Sequence, residues 1–351
     1  MTIGALIDSA VGPIAEGLSP TPHRDAEELY ALAAGIAVAD IDRDGEPDEK
    51  TADEFRRLTG ARVSGVPMAY LTGVAPFAGL ELRVGAGVFV PRRDFGDVVE
   101  PAVAHLAGST APVVVDLCTG AGAHALAIAH RRPDAEVHAV EIDEQAYGFA
   151  ERNAADRVAA GDTGINLHRG DVTSPGVLAE LAGSVDVVVS NPPFVPERTP
   201  LPPEFGVHQP SIAIFAGADG LRVIRGVIET AARLLRPGGL LVLEHGHLHG
   251  ETMPALFAAD DRFADLGLHA DQFGYPLYLV ATRAWSRAGP FAGGGRLRSR
   301  PPGDVRRRPA GGTVRRRSPS ADPGVRRPGS ATARPLRRPA WPRRPRCAPD
   351  G

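Results

Sequence analysis

The chain has 351 residues, 43% of them hydrophobic, which is enough for one large domain with additions. A net charge of −3 hides an asymmetry: residues 284–351 carry eighteen Arg and three Asp, for +15, so residues 1–283 stand at −18. Two cysteines, Cys118 and Cys347, exclude a disulfide framework or a metal cage. No basic segment leads into an apolar run at the N-terminus, and nowhere do eighteen apolar residues run together. Neither a signal peptide nor a transmembrane helix is therefore expected, and a cytoplasmic protein is.

The first sixty residues read as helical. After Pro22, Leu29, Leu32, Ala33 and Ile36 recur at helical spacing and predict one apolar stripe. Thr51 and Glu54 form a capping-box pattern ahead of Phe55 and Leu58. From Val74 to Pro91 the period changes: Phe77, Leu80, Leu82 and Val84, then Val88-Phe89-Val90, predict a hairpin between two modules. Beyond Pro112, strands are expected at Val113–Leu117, Val137–Ile142, Ile165–His168, Val185–Ser190 and Leu240–Glu244, with helices at about 122–131, 144–159 and 219–235. This alternation with apolar strands predicts a mostly parallel sheet covered on both faces. Gly267–Ala270 and Leu277–Thr282 are expected as an antiparallel edge. After Arg283 the composition is Arg, Pro, Gly and Ser with almost no aliphatic residues, which predicts a disordered tail.

Three signals carry chemistry. The first is Val113-Val114-Val115-Asp116-Leu117 running into Cys118-Thr119-Gly120-Ala121-Gly122 and a helix. Glycines in such a turn let backbone N–H groups approach a ligand, although similar turns bind dinucleotides, phosphates or nothing. The second is Glu141, ending the next strand about twenty residues beyond the glycines, where a carboxylate takes ribose hydroxyls. The third is Asn191-Pro192-Pro193-Phe194, at the carboxyl end of a buried strand. Two prolines make that turn rigid and leave carbonyl acceptors exposed. Asn191 adds a side-chain carbonyl, and Phe194 an aromatic face. Such a set suits an –NH₂ group conjugated to a carbonyl or heterocycle, whose delocalised lone pair must be turned towards a methyl donor.

With these motifs, residues 20–283 resemble the protein (glutamine-N5) methyltransferases that modify peptide chain release factors. Further stretches of the resemblance are Asp25-Ala26-Glu27, Gly65-Val66-Pro67-Met68-Ala69-Tyr70-Leu71-Thr72-Gly73, Val88-Phe89-Val90-Pro91-Arg92, His208-Gln209-Pro210, Gly217-Ala218-Asp219-Gly220-Leu221, and Arg236-Pro237-Gly238-Gly239 as a turn before the fifth strand. The resemblance implies an α/β fold, a Rossmann-like S-adenosylmethionine-dependent methyltransferase with a seven-stranded, mostly parallel sheet. It implies a helical substrate-recognition domain at 1–73, a hairpin and connecting segment at 74–111, the methyltransferase domain at 112–283 and the tail at 284–351. It also implies that Asp116 and Cys118 to Gly122 lie by the amino acid part of S-adenosylmethionine, Glu141 by the ribose, Asp171 and Val172 by the adenine. Asn191 would touch both donor and substrate, and Asn191, Pro192, Pro193 and Phe194 would grip the glutamine amide.

The sequence departs from the family pattern at Cys118, where a first glycine is usual, and at Arg93-Asp94-Phe95-Gly96 in place of Pro-Glu-Thr-Glu. Phe194 replaces Tyr and Gln209 replaces Glu, and Asp271-Gln272-Phe273-Gly274-Tyr275 lacks an Arg-containing pattern. These departures bear on the choice of target, for which a release factor or a related protein is expected, and not on fold or donor. The alternative substrate, an exocyclic base amine of RNA or DNA, uses the same motif on an exposed base. A body at −18 repels a polyanion. The Arg-rich tail, without lysine and with no aromatic interleaved among its Arg repeats apart from Trp341, reads as low complexity rather than as a nucleic-acid arm. His245, His247 and His249 read as a turn rather than a metal site, Cys118 as a small buried residue, and the enzyme as a monomer.

Overall fold

The structure is a computed structural model and describes residues 1–92, 98–270 and 274–285. The expected disordered tail from residue 286 onward, the departure at Arg93-Asp94-Phe95-Gly96 and most of that at Asp271-Gln272-Phe273 lie outside the described residues.

Four helices open the chain: α1 (Ile3–Glu16), α2 (Pro22–Ala34), α3 (Glu49–Val63) and α4 (Met68–Thr72). The first three close around Ile7, Ile14, Leu29, Tyr30, Phe55 and Leu58. The buried stripe of α2 is Ala26, Leu29 and Tyr30, whereas Leu32 and Ile36 are 39% and 42% exposed. Two causes rotate the stripe: Tyr30 packs edge-on to Phe55, and Gly35, at φ 67, ends the helix before Ile36. The capping box also shifts. Asp48 caps α3, accepting from the Thr51 N–H at 3.0 Å and its hydroxyl at 2.6 Å, while Glu54 pairs with Arg57.

The hairpin is β1 (Val74–Phe77) with β2 (Leu80–Arg83). Ala78 and Gly79 form its two-residue turn, both with positive φ, as the right-handed twist of paired strands requires. Val88-Phe89-Val90 forms no strand, contrary to expectation. Side chains hold it instead: the Val90 N–H donates to Gln209 Oε1 at 2.9 Å, and the Val88 carbonyl accepts from Tyr70.

Then follow α5 (Val99–His105), β3 (Val113–Leu117), α6 (Ala123–Arg131), β4 (Glu136–Glu141), α7 (Glu144–Ala159), β5 (Asn166–Arg169) and β6 (Val185–Ser190). The chain continues through α8 (Pro203–Gly206), α9 (Arg222–Leu234), β7 (Leu235–Glu244), α10 (Thr252–Ala258), β8 (Phe263–Ala270) and β9 (Pro276–Arg283). Seven strands make one sheet in the order β5-β4-β3-β6-β7-β9-β8, parallel except for β9. The seven expected strands are all present, with most ends moved by a residue or a few. The largest change is β7, which begins at Leu235 and takes in Arg236-Pro237-Gly238-Gly239 across a register shift, so that segment is part of an irregular strand and not a turn before it.

Alternate residues of each central strand face opposite layers. Val115, Leu117, Val188, Leu241 and Leu243 pack with Ile224 and Val227 of α9. Val114, Val187, Val189, Leu240 and Val242 pack with α5, α6 and the hairpin. Burial on both faces is why these strands are apolar throughout. Among the described residues no helix is long and apolar enough to cross a membrane.

Candidate active site

Strand order reverses between β3 and β6, and the loops leaving their carboxyl ends face a common crevice, the place where open α/β sheets bind ligands. Both sequence motifs stand there. After β3, Asp116 is fully buried and fixes the turn: its Oδ2 accepts from the Thr119 hydroxyl at 2.6 Å and the Ala125 N–H at 3.1 Å. Burial pushes its carboxyl above the ordinary range. Cys118 has φ 64. This left-handed conformation suits glycine and costs a residue with a Cβ about 1 kcal/mol. Cys118 is half-buried rather than buried, and its surroundings, desolvation first and then Glu141 and Asp116, push the thiol well up, so it is no nucleophile. Gly120 has φ 57, and a Cβ there would meet nothing within 4 Å. The turn is thus strained towards glycine and faces open space, as a cradle for a ligand must.

Glu141, at the end of β4, binds this turn from the neighbouring strand. Its Oε2 accepts from the Gly120 N–H at 2.8 Å, and its Oε1 from the Ile142 and Asp143 N–H groups, both at 2.9 Å. A carboxylate has about four acceptor sites. Three are taken, so one direct bond remains for a ribose hydroxyl rather than a full bidentate pair. Burial raises its pKa against the pull of those three N–H groups. Asp171 is exposed and turned to its own loop, accepting from the Thr173 N–H and hydroxyl, both at 2.8 Å; Val172 is buried beside it. The residues present therefore fit a nucleoside with an amino acid arm: an acidic acceptor, open glycine backbone and an apolar floor.

After β6, Pro192 is buried and Asn191, Pro193 and Phe194 are half-buried. Among the described residues no hydrogen bond engages the Asn191 side chain. Residues to which the sequence assigned no part in the site lock this loop. The His249 Nε2 lies 2.8 Å from the Phe194 carbonyl oxygen. A Cβ on Gly220 would collide with the same carbonyl, and one on Gly246 would come within 3.0 Å of the Phe194 ring. Val195 and Phe215 form a parallel bridge, with the Val195 N–H donating to the Ile214 carbonyl at 2.9 Å. His247–His249 is a short 3-10 turn, and among the described residues no group of three or more His, Cys, Asp or Glu is placed to hold a metal.

The flanking segments are tied in as well. Asn153 of α7 joins β2 to the glycine turn, accepting from the Arg83 N–H at 2.7 Å and donating to the Ala121 carbonyl at 2.9 Å. Gln209 uses both ends of its amide, accepting from Val90 and donating to the Glu204 carbonyl at 3.3 Å, which an ionised Glu could not do. Arg62 of α3 bonds Asp25 at 2.7 Å and Glu204 of α8 at 3.1 Å. The helical module thereby braces the loop beyond Phe194.

A doubly wound sheet with a glycine turn after its first strand, an acidic residue ending its second and Asn-Pro-Pro-Phe after its fourth defines an S-adenosylmethionine-dependent methyltransferase. Residues 81–200 match the family model described as "Methyltransferase small domain". The release factor glutamine methyltransferase of Mycolicibacterium smegmatis is 40% identical over 277 residues, covering 79% of this chain and 96% of that protein. That of Streptomyces coelicolor is 38% identical over 284 residues, covering 80% and 98%. The 4-amino-L-phenylalanine/4-methylamino-L-phenylalanine methyltransferase of Streptomyces pristinaespiralis is 36% identical over 274 residues, covering 75% and 89%. The chain belongs to the release factor glutamine methyltransferase family.

Proposed function

We propose that this enzyme methylates the side-chain amide nitrogen, N5, of a glutamine in a peptide chain release factor, in the cytoplasm. One observation carries the reading: an Asn-Pro-Pro-Phe loop at the carboxyl edge of β6, clamped from outside through the Phe194 carbonyl, with the Asn191 side chain left free of partners among the described residues. Because the Phe194 carbonyl is taken by His249, the Asn191 oxygen and a carbonyl of Pro192-Pro193 are the acceptors for the two amide N–H bonds. Phe194 offers its ring to the planar amide. Holding both N–H bonds turns the nitrogen lone pair out of conjugation and stabilises the positive charge that grows there. When bound, S-adenosylmethionine supplies the electrophilic methyl group; Gly120, Glu141, Val172 and Asp171 would hold it. An N-protonated amide is a strong acid, so the excess proton leaves to water without a side-chain base.

The relative named for methylating 4-amino-L-phenylalanine also acts on a planar nitrogen, so the loop suits that geometry and the surrounding walls choose the target. Residues 1–73 are the module that presents the protein substrate, 74–111 the connector and 112–283 the catalytic domain, with 284–351 a tail outside it. Transfer of labelled methyl groups into a cell lysate tests the substrate class. Label lost to protease and resistant to nuclease supports a protein target; label lost to nuclease means a nucleic acid.

A further inference from the structure

A buried carboxylate at the end of β7, the strand next to β6, has no role so far. Glu244, the last residue of β7, is fully buried. His124 of α6 lies against it, Nε2 to Oε1 at 2.9 Å, and the ring of Phe77 packs edge-on to His124. Among the described residues, Asp116 on β3 and Arg92 are the other charged groups that act on Glu244. The His124 approach is an ion-pair contact without hydrogen-bond alignment, and among the described residues neither Glu244 oxygen accepts a hydrogen bond; Oε2 has no ion-pair contact either. An acceptor left so in a core has lost its hydration with nothing in exchange, at a greater cost when charged, which an interior does not sustain without return.

Register shows what faces it. Parallel β6 and β7 pair Val189 with Val242 and Ser190 with Leu243. β6 ends at Ser190, and the same register carried one step past its end sets Asn191 next to Glu244, at the usual strand spacing of about 4.8 Å. Val189 and Val242 share the α6-side layer, Glu244 meets His124 of α6 on that side, and the strand period of two carried past Ser190 assigns Asn191 to the same side. An asparagine amide has an acceptor end and a donor end. If Oδ1 is to meet the substrate N–H, Nδ2 must turn away and find an acceptor of its own.

We propose that Glu244 is a positioning residue for Asn191: held by His124 through one oxygen, it accepts the Asn191 Nδ2–H on the other and so aims Oδ1 at the substrate amide. The bond forms as the site closes on substrate, since catalytic hydrogen bonds tighten in the loaded complex. This rests on the reading of Asn191 as the amide acceptor, and the test separates the two. Glu244→Gln, which keeps the shape and removes the charge, lowers kcat about tenfold to a hundredfold in the parent. S-adenosylmethionine affinity is unchanged, and in the Asn191→Ala background the same change lowers kcat less than about twofold, because the two act as one unit. Equal losses in both backgrounds, or an unchanged kcat in the parent, overturn the proposal. An Asn191→Ala enzyme with parental rate overturns the earlier reading instead. A second measurement needs no Glu244 variant. In ¹⁵N-asparagine-labelled parent with S-adenosylhomocysteine and substrate protein, one Asn191 side-chain proton moves downfield to a position typical of a bond to carboxylate; both protons at solvent-exposed positions overturn the proposal.

Discussion

At the scale of single residues, Glu141 belongs to the fold as much as to the crevice. Glu141 gives three of its roughly four acceptor positions to the protein, at Gly120, Ile142 and Asp143, so it shapes the turn and keeps one position for the proposed donor. Its folded pKa lies above the ordinary 4.5 because burial outweighs those bonds. The sign for binding follows. A ribose hydroxyl donates to the ionised form, so affinity is full above that raised value and falls as pH drops through it, by no more than the worth of that one bond. Calorimetry with S-adenosylmethionine should show the loss beginning above 4.5 in the parent. Glu141→Gln should show a flatter profile with a dissociation constant about tenfold to a hundredfold higher at neutral pH; a parental constant there would move the cofactor elsewhere. Glu141, Asn191 and the glycines were legible in the sequence because strand ends and turn residues are marked locally. The left-handed conformation of Cys118 was not, since nothing in the string Leu117-Cys118-Thr119 demands it until Glu141 anchors the turn from the next strand.

At the scale of elements, the Asn-Pro-Pro-Phe loop owes its shape to chain that is distant in sequence. Gly220 and His249 both converge on one carbonyl, that of Phe194. Gly220→Ala adds a Cβ against that carbonyl at φ 74 and must displace the loop. We expect a stability loss of about 1–3 kcal/mol and kcat lowered at least about tenfold, with S-adenosylmethionine affinity nearly unchanged, read by thermal unfolding and steady-state kinetics. A parental kcat would mean that the loop position does not matter. Pattern alone could not find these residues, because a glycine in Asp219-Gly220-Leu221 reads as any turn and three alternating histidines suggest a metal as readily as a clamp. Local ambiguity explains the other differences. Asp48 and Thr51 both precede a helix with suitable spacing, and the chain uses the earlier one. Val88-Phe89-Val90 has strand composition, yet Gln209 and Tyr70 satisfy its backbone before any strand can.

At the scale of the whole molecule, the parallel sheet was legible because two-sided burial writes continuous apolar runs into the strands. The bracing of the site by the helical module was not, for it depends on the buried Arg62 reaching both Asp25 and Glu204 across 142 positions of chain. Asp25→Ala removes the nearer of the two carboxylates on a buried guanidinium while Glu204 remains, and a loss of about 1–3 kcal/mol is expected in thermal unfolding; a loss under 1 kcal/mol would show that the pair is not structural. The basic C-terminal segment offers no residues for a core. Truncation after Trp285 keeps the Ala284 N–H bonded to the Arg262 carbonyl at 2.8 Å. Unfolding temperature and methyl transfer should both stay near parental, and a large fall in either would give the segment a role in the fold or the reaction.

The most direct test of the account is single-turnover methyl transfer by Asn191→Ala beside the parent, on a release factor substrate with S-adenosylmethionine saturating. The substitution removes one acceptor aimed at the nucleophilic nitrogen and leaves Gly120 and Glu141 in place. The account predicts a rate lower by about 10²–10³-fold, as when one preorganised polar group is deleted from an active site, with cofactor affinity within about twofold. A variant that binds the cofactor normally and transfers methyl at the parental rate would contradict it.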